Sequence, residues 1–465
     1  VPDAQWFLLG TGGGLVIQKG GLIRFGYNLL FAAFFWLSAP FYLLKMVRRG
    51  NWRRGFAQRF GIYDEALRSQ LRESGPVVWM HAVSVGEINQ CVPLQQALEK
   101  VMPGRTWVIS TTTSTGMAEL QTKLPEQVLK IYYPADFAGA VRRSLNLIRP
   151  RMIVLVEAEV WPNMMWAAAD RQIPVALVNA RLSERSFHRY RQVAFLFAPL
   201  FESLSAVGAQ TEGEVELWCQ LGCKSGRIVV TKNMKFDSVD LEPPGKLDVR
   251  ALLDRLGVGR DSKIIVGGST HDGEEAILAR VMKRLRSDGL DVFLVIVPRH
   301  MERGRAVLSH IQEQGLRARR RSQLNAADCE PDLDLDCLIV DTTGELIDCY
   351  AAADVVFIGK SLKKGGGQNP IEPAALGKAV LYGDKMGNFK DISHILVSEG
   401  AAVAVSGEGG LQEKLHEILL STSKNQEMGK AASRCVTENR GSLRRTVQMI
   451  QKITQKTIDP TTDIS

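Results

Sequence analysis

Short uninterrupted apolar runs alternate along most of this chain with longer stretches whose apolar residues recur at helical spacing. The runs lie at Val77–Ala82, Trp107–Thr111, Val128–Tyr133, Met152–Val156, Val175–Asn179 and Ile228–Thr231. A second series follows at Ile264–Gly268, Val292–Pro298, Cys337–Val340, Val355–Gly359, Ala379–Tyr382 and Ala401–Val405. Runs this short and rich in β-branched residues, set between helices, predict parallel strands buried on both faces. The two series predict an α/β protein of two Rossmann-like, doubly wound domains facing each other across a cleft, with ligands at the carboxyl ends of the strands. Ser238–Asp261 contains Pro243-Pro244-Gly245 and few apolar residues in sequence, and reads as a linker. The expected division is an anchor over 22–48, an N-terminal domain over 49–237, the linker over 238–261 and a C-terminal domain over 262–455.

One stretch breaks this rhythm. Tyr27 to Leu44, YNLLFAAFFWLSAPFYLL, is eighteen residues without a charge. As a helix it is long enough to cross a hydrocarbon core of ~30 Å, at the short end of the range, and Pro40 would bend it. Lys45, Arg48, Arg49, Arg53, Arg54 and Arg59 follow, and no acidic residue stands between Asp3 and Asp64. A basic flank on that side places the rest of the chain in the cytoplasm and disfavours a signal peptide, whose charges precede its apolar run. Three readings stay open: a spanning anchor, a helix lying in the membrane interface, and a helix packed on the soluble body or on a partner.

Composition adds exclusions. The chain has 465 residues, with 45% hydrophobic and 23% charged, which rules out a disordered, collagen-like or disulfide-scaffold protein. Its 58 Lys+Arg against 50 Asp+Glu give a net charge of +8, which permits a nucleotide, phospholipid or nucleic-acid partner. Six of those basic residues border the apolar stretch, where they suit anionic phospholipid. Arg317, Arg319, Arg320 and Arg321 have no aromatic interleaving and read as a solvated face, so no nucleic-acid partner is expected. The seven cysteines are scattered without C-x-x-C spacing and read as reduced thiols. Asp332-Leu333-Asp334-Leu335-Asp336 superficially resembles a metal-binding D-x-D but alternates ahead of a strand, as a solvated edge does. His271 and His300 each lack a second histidine at ligand spacing, so no metal site is expected.

Four strand-end loops carry unusual chemistry. In His81-Ala82-Val83-Ser84-Val85-Gly86-Glu87, Ser84 can cap the following helix and Gly86 lets a ligand approach the backbone. Glu87 there is either a general base or the acidic half of a capping box with Ser84, and spacing alone favours the box. Glu157-Ala158-Glu159-Val160-Trp161-Pro162-Asn163 offers two carboxylates after a strand, although acidic residues favour helix N-termini in any case. Gly267-Gly268-Ser269-Thr270-His271-Asp272-Gly273-Glu274-Glu275 and its companion Pro298-Arg299-His300-Met301-Glu302-Arg303 fit a phosphate site. Gly359 to Ala374 holds three consecutive glycines, Gly365 to Gly367, which can wrap an anion. Glu372 within it is placed to bind sugar hydroxyls. Neither a P-loop nor a dinucleotide fingerprint is present.

Together these segments resemble the Kdo transferases, the 3-deoxy-D-manno-octulosonic acid transferases of lipopolysaccharide synthesis, which have the two-domain glycosyltransferase B fold. The resemblance runs from about Arg24 to Lys452 and includes the anchor. It is carried by Arg59-Phe60-Gly61, W-x-H-A-x-S-V-G-E at Trp79–Glu87, E-x-E-x-W-P-N at Glu157–Asn163, N-A-R-L-S at Asn179–Ser183, Lys235-Phe236-Asp237, G-S-T-H at Gly268–His271 and N-P-x-E-P-A at Asn369–Ala374.

The resemblance implies an inverting transfer of Kdo from CMP-Kdo to a lipid A precursor hydroxyl at the cytoplasmic face of the bacterial inner membrane. It implies Glu87 as the base, overriding the capping preference, and Glu157 and Glu159 near the acceptor or reaction centre, with Ser84 and Gly86 on the acceptor side. CMP-Kdo would be held by Ser269, Thr270, Arg299, Gly366, Gly367, Gln368, Asn369 and Glu372. Arginine and backbone N–H groups can stabilise the departing CMP, so neither a cofactor nor an obligatory metal is expected. The family usually reads G-G-S-L where Gly359-Lys360-Ser361-Leu362 stands, G-G-H-N at Gly366-Gly367-Gln368-Asn369 and T-G-N at Thr231-Lys232-Asn233. It also has a proline in place of Met301 and a threonine in place of Ala158. The alternatives are a UDP-sugar transferase of the same fold and an inactive lipid- or nucleotide-binding membrane scaffold.

Overall fold

The computed structural model describes residues 19–48, 55–157, 160–239, 241–324 and 334–458. They form two compact units, one running up to Met234 and resuming at Gly441, the other spanning Lys235–Arg440.

The first unit is built on a parallel sheet of β1 (Val77–His81), β2 (Thr106–Thr111), β3 (Leu129–Tyr132), β4 (Pro150–Val156), β5 (Val175–Ala180), β6 (Ala206–Ala209) and β7 (Ile228–Val230), in the order β3-β2-β1-β4-β5-β6-β7. Val77 and Trp79 of β1 enter one apolar core, while Val78 and Met80 enter another on the opposite face. That two-sided burial is why the strand reads as an unbroken apolar run. The chain runs outward from β1 to β3 and returns beside β1 as β4, so the strand order reverses between β1 and β4. Side chains at the carboxyl ends of those two strands border the crevice that such a reversal opens.

The second unit repeats the plan with β8 (Lys263–Thr270), β9 (Val292–Pro298), β10 (Ala318–Arg320), β11 (Cys337–Ile339), β12 (Val355–Ile358), β13 (Ala379–Gly383) and β14 (Ala402–Val405). All are parallel, in the order β10-β11-β9-β8-β12-β13-β14, with the reversal between β8 and β12.

Every expected strand is present, and the structure adds β6 and β10. β10 falls in the arginine cluster expected to be a solvated face; it is instead a half-buried edge strand whose Arg320 pairs with Asp341 at 3.2 Å. Asp336 of the D-x-D-like stretch accepts from the Arg317 backbone N–H at 2.8 Å and from the Arg286 side chain. Asp332 lies outside the described residues.

The expected domain boundaries need correction at both ends. The segment taken as a linker over 238–261 belongs to the second unit, because helix Val249–Arg255 buries Val249, Leu252 and Leu253 in its core. The first unit therefore breaks off at Met234 rather than at 237. At the other end, the last helix, Ser442–Ile458, leaves the expected C-terminal domain and returns to the first unit. Its Val447, Met449 and Ile450 join the core beneath helix Val85–Val101, and Arg445 Nε donates to Thr231 O at 3.1 Å.

The N-terminal helix, Lys19–Arg48, is longer than the uncharged stretch inside it. Its first half is fastened to the first unit. Arg24 forms two hydrogen bonds to Asp170, at 2.8 and 2.9 Å, and lies over Trp166. Tyr27 Oη donates to Asp136 at 2.8 Å, and Asn28 pairs with Asn163. Phe31 and Phe35 pack edge-on against Phe137, with ring centroids 5.1 and 4.9 Å apart. The opposite face exposes Leu22, Phe25, Leu29, Trp36, Leu37, Phe41 and Leu44.

Candidate active site

At the carboxyl end of β1 the chain turns into helix Val85–Val101, with Ser84 as its N-cap. Glu87, in the first turn, is 8% exposed. Its Oε2 accepts from the Val83 N–H at 2.7 Å and its Oε1 from Ser84 Oγ–H at 2.8 Å, while its own N–H donates to Ser84 Oγ at 3.2 Å. Only the serine half of the capping box anticipated from spacing is formed: Ser84 Oγ caps the Glu87 N–H, while the carboxylate takes the Val83 N–H and the Ser84 hydroxyl and not the Ser84 N–H. A carboxylate has about four lone-pair positions, so these bonds orient the group without excluding a further donor. One strand turn earlier, His81 is fully buried, stacked on Tyr133 with ring centroids 3.7 Å apart. Burial pushes its pKa down to about 3, so the ring is neutral throughout the physiological range.

Glu157 follows β4 with a left-handed backbone, φ +64°, a conformation that costs a non-glycine residue energy and that clusters at functional sites. Gln90, one turn beyond Glu87, donates to its Oε1 at 3.3 Å. The same Gln90 accepts from Asn179 Nδ2 at 2.6 Å. From there buried amides continue across the strand ends: Gln210 Nε2 donates to Asn179 O at 3.0 Å, and Asn233 Nδ2 donates to Gln210 Oε1 at 2.8 Å. The network ties Glu157 to the Glu87 helix. It was missed because its members are neutral and far apart in sequence. Asn179, in the N-A-R-L-S segment, and Asn233, in Thr231-Lys232-Asn233, are the amides that sequence motifs mark. Glu159 lies outside the described residues. Ser84 and Gly86 sit beside Glu87, as their positions require.

In the second unit, Ser269 and Thr270 end β8, Ser269 with φ +53°. Thr270 Oγ1 is buried without a hydrogen-bond partner among the described residues, and Thr270 O accepts from the Arg299 N–H at 3.1 Å. The neighbouring strand end, after β12, is pressed so close that a Cβ on Gly359 would stand 2.3 Å from Ser269 O; only glycine fits. The loop beyond is held by Glu274, a member of the Gly267–Glu275 turn to which sequence alone assigns no role of its own. Glu274 is fully buried and accepts from the N–H groups of His271, Lys360, Ser361 and Leu362 at 2.7–3.1 Å.

Farther along, Gly366 N–H donates to Lys385 O at 2.8 Å and Gly367 N–H to Lys360 O at 2.9 Å, which folds the glycine run back on itself. Gln368 is half-buried beside them. Asn369 accepts from the Ile371 N–H at 3.1 Å and donates to Glu372 at 3.0 Å. Burial pushes the Glu372 carboxyl above its ordinary pKa, against the lowering effects of Asn369 and the Arg299 charge. Arg299 itself is exposed at the end of β9. Tyr350, fully buried, feels both Glu372 and Arg299, and its ring occupies the space that a Cβ on Gly268 would need. The donor-side candidates are therefore gathered on three adjacent strand ends, those of β9, β8 and β12.

A family model for 3-deoxy-D-manno-octulosonic-acid transferase (kdotransferase) matches residues 54–238. A 3-deoxy-D-manno-octulosonic acid transferase of Bordetella pertussis is 33% identical over 434 residues, covering 89% of this chain and 96% of that protein. The chain belongs to the Kdo transferase family. It is a glycosyltransferase of Kdo transfer in lipopolysaccharide synthesis. A second Kdo transferase, from Haemophilus influenzae, is 29% identical over 437 residues, 94% of this chain and 100% of that protein. The UDP-GlcNAc 2-epimerase of Neisseria meningitidis superimposes with a TM-score of 0.53 at 15% identity over 81% of this chain and 100% of that one, a likeness of glycosyltransferase B-type fold.

Two departures from the Kdo transferase pattern now have a structural setting. Lys360 and Lys232 both replace a usual glycine, and both have left-handed backbones, φ +60° and +64°. At these positions the usual glycine carries no steric cost.

Proposed function

We propose that this Kdo transferase moves Kdo from CMP-Kdo to a hydroxyl of a lipid A precursor in one inverting displacement, at the cytoplasmic face of the inner membrane. The observation that carries the reading is the Glu87 carboxylate, buried at the carboxyl end of β1, where the strand order reverses, and oriented by the Val83 N–H and Ser84 hydroxyl.

Glu87 takes the proton of the acceptor hydroxyl as that oxygen bonds to the anomeric carbon of Kdo. The bond from that carbon to the phosphate oxygen breaks, and CMP leaves with the electron pair. One displacement inverts the centre and needs no covalent enzyme intermediate. Glu157 serves the acceptor side with Ser84 and Gly86, and Gln90 couples Glu157 to the Glu87 helix.

The second unit holds the donor. Arg299 receives the CMP phosphate as its charge grows, beside the Gly366–Asn369 turn whose Gly366 and Gly367 N–H groups hold the loop in shape by donating to Lys385 O and Lys360 O. Glu372 takes the ribose hydroxyls, and Ser269 and Thr270 line the donor beside β8. Lys360 adds a positive charge at the head of the same loop. No metal or cofactor takes part in this scheme. The N-terminal helix and its basic flank hold the enzyme at a phospholipid surface, where its lipid acceptor resides.

The test incubates the full chain with lipid A precursor and a CMP-Kdo supply and weighs the product. Glu87→Gln should abolish transfer while CMP-Kdo affinity stays within a few-fold. Full activity in that variant would remove Glu87 from its role, and an unmodified acceptor with the unaltered chain would sink the whole reading.

A further inference from the structure

We infer that the N-terminal helix lies in the plane of a single leaflet, strapped along its first half to its own enzyme body, and does not cross the bilayer. The inference rests on the membrane association proposed above and concerns its geometry.

The fastened residues Arg24, Tyr27, Asn28, Phe31 and Phe35 recur at helical spacing and form one face. Their partners are soluble-domain side chains, including the carboxylates Asp170 and Asp136. A spanning helix with its basic flank, Lys45 to Arg59, on the enzyme's side would carry residues 24–35 to the half of the bilayer farthest from the enzyme. The enzyme holds that very half. Spanning would therefore draw Asp170, Asp136 and their strand-end surroundings into hydrocarbon, where a charged group costs at least ~2.5–3.5 kcal/mol. Length gives the same answer: the thirteen residues after Phe35 rise ~20 Å, well short of a ~30 Å core.

The face turned away from the body decides the occupant. Phe25, Leu29, Trp36 and Leu37 lie on that side, Leu37 being 84% exposed. An apolar face that includes a tryptophan, followed in sequence by six basic residues with no acidic one among them, matches an anionic leaflet: acyl chains beneath the helix and headgroups around its flank.

Two measurements test this with the full chain, and neither depends on Kdo transfer. In the first, a protease site is fused ahead of the N-terminus and the protein is expressed in spheroplasts. The in-plane helix leaves the site protected from external protease until the cells are lysed, whereas cleavage in intact spheroplasts overturns the inference. The second adds Phe25→Ser, Leu29→Ser and Leu37→Ser together and measures binding to phosphatidylethanolamine–phosphatidylglycerol vesicles. Binding should fall about tenfold or more, with the melting temperature unchanged. Unchanged vesicle binding overturns the lipid assignment, and a change of oligomeric state in its place assigns the face to a second copy of the chain.

Discussion

Asn28 and Asn163 hold each other by both ends of their amides: Asn163 Nδ2 donates to Asn28 Oδ1 at 3.0 Å, and Asn28 Nδ2 donates to Asn163 Oδ1 at 3.3 Å. Asn163 lies in the first turn of the helix that follows the Glu157 segment, so the N-terminal helix and a strand-end loop of the candidate site share one polar joint. Asn28→Ala leaves the buried Asn163 amide short of a partner and should cost about 1–3 kcal/mol, read as a lower urea midpoint. A midpoint equal to that of the unaltered protein would show that the joint contributes nothing.

Asp136 makes that region pH-dependent. It is 2% exposed and accepts from Tyr27 Oη–H and from the N–H groups of Asn163 and Met164. Burial nevertheless lifts its pKa to about 7. An unfolded aspartate titrates near ~3.9, so between about 4 and 7 the native state keeps a proton that the unfolded state has lost. The stability from this group is fully present below about pH 4 and fades as pH rises through about 7. Asp136→Asn abolishes that titration. Its destabilisation should be greater at about pH 5 than at about pH 8.5, and a gap that widens with rising pH contradicts the assignment.

Lys360 should show stability and binding pulling apart. A left-handed residue with a Cβ costs about 1–2 kcal/mol, and glycine's extra freedom in the unfolded chain returns about 0.4–1 kcal/mol of that. Lys360→Gly is expected to raise the unfolding free energy by about 0.5–1 kcal/mol while weakening CMP binding several-fold. Denaturant titration and calorimetry report the two effects separately; a less stable variant overturns the first.

Glu274→Gln tests the loop's support. An amide offers one oxygen where the carboxylate offers two, and its NH2 group faces N–H donors. The variant should lose about 2–4 kcal/mol and CMP affinity together. Unaltered CMP affinity in calorimetry would mean that the loop keeps its shape without Glu274.

The two sheets were legible because strands buried on both faces leave unbroken apolar runs, as in β4 and β9. β6 escaped because Ala206-Val207-Gly208-Ala209 has one β-branched residue, and β10 because an edge strand tolerates arginines. Glu87 and the Gly365–Gly367 run were visible through local chemistry. Glu274 was not, since its partners Lys360 to Leu362 lie 86–88 residues away and its purpose exists only once β8 and β12 are neighbours. Nothing in the amphipathic pattern of Ser442–Ile458 tells which unit that helix covers.

That last helix also orders the biosynthesis of the protein. The first unit is discontinuous: its core beneath Val85–Val101 is unfinished until Val447, Met449 and Ile450 arrive, after the whole of the second unit has been made. The second unit, continuous from Lys235 to Arg440, has all its residues before then. On the ribosome the unit made later can be complete first, and the nascent first unit waits with an open apolar face, the condition under which a chaperone is most useful.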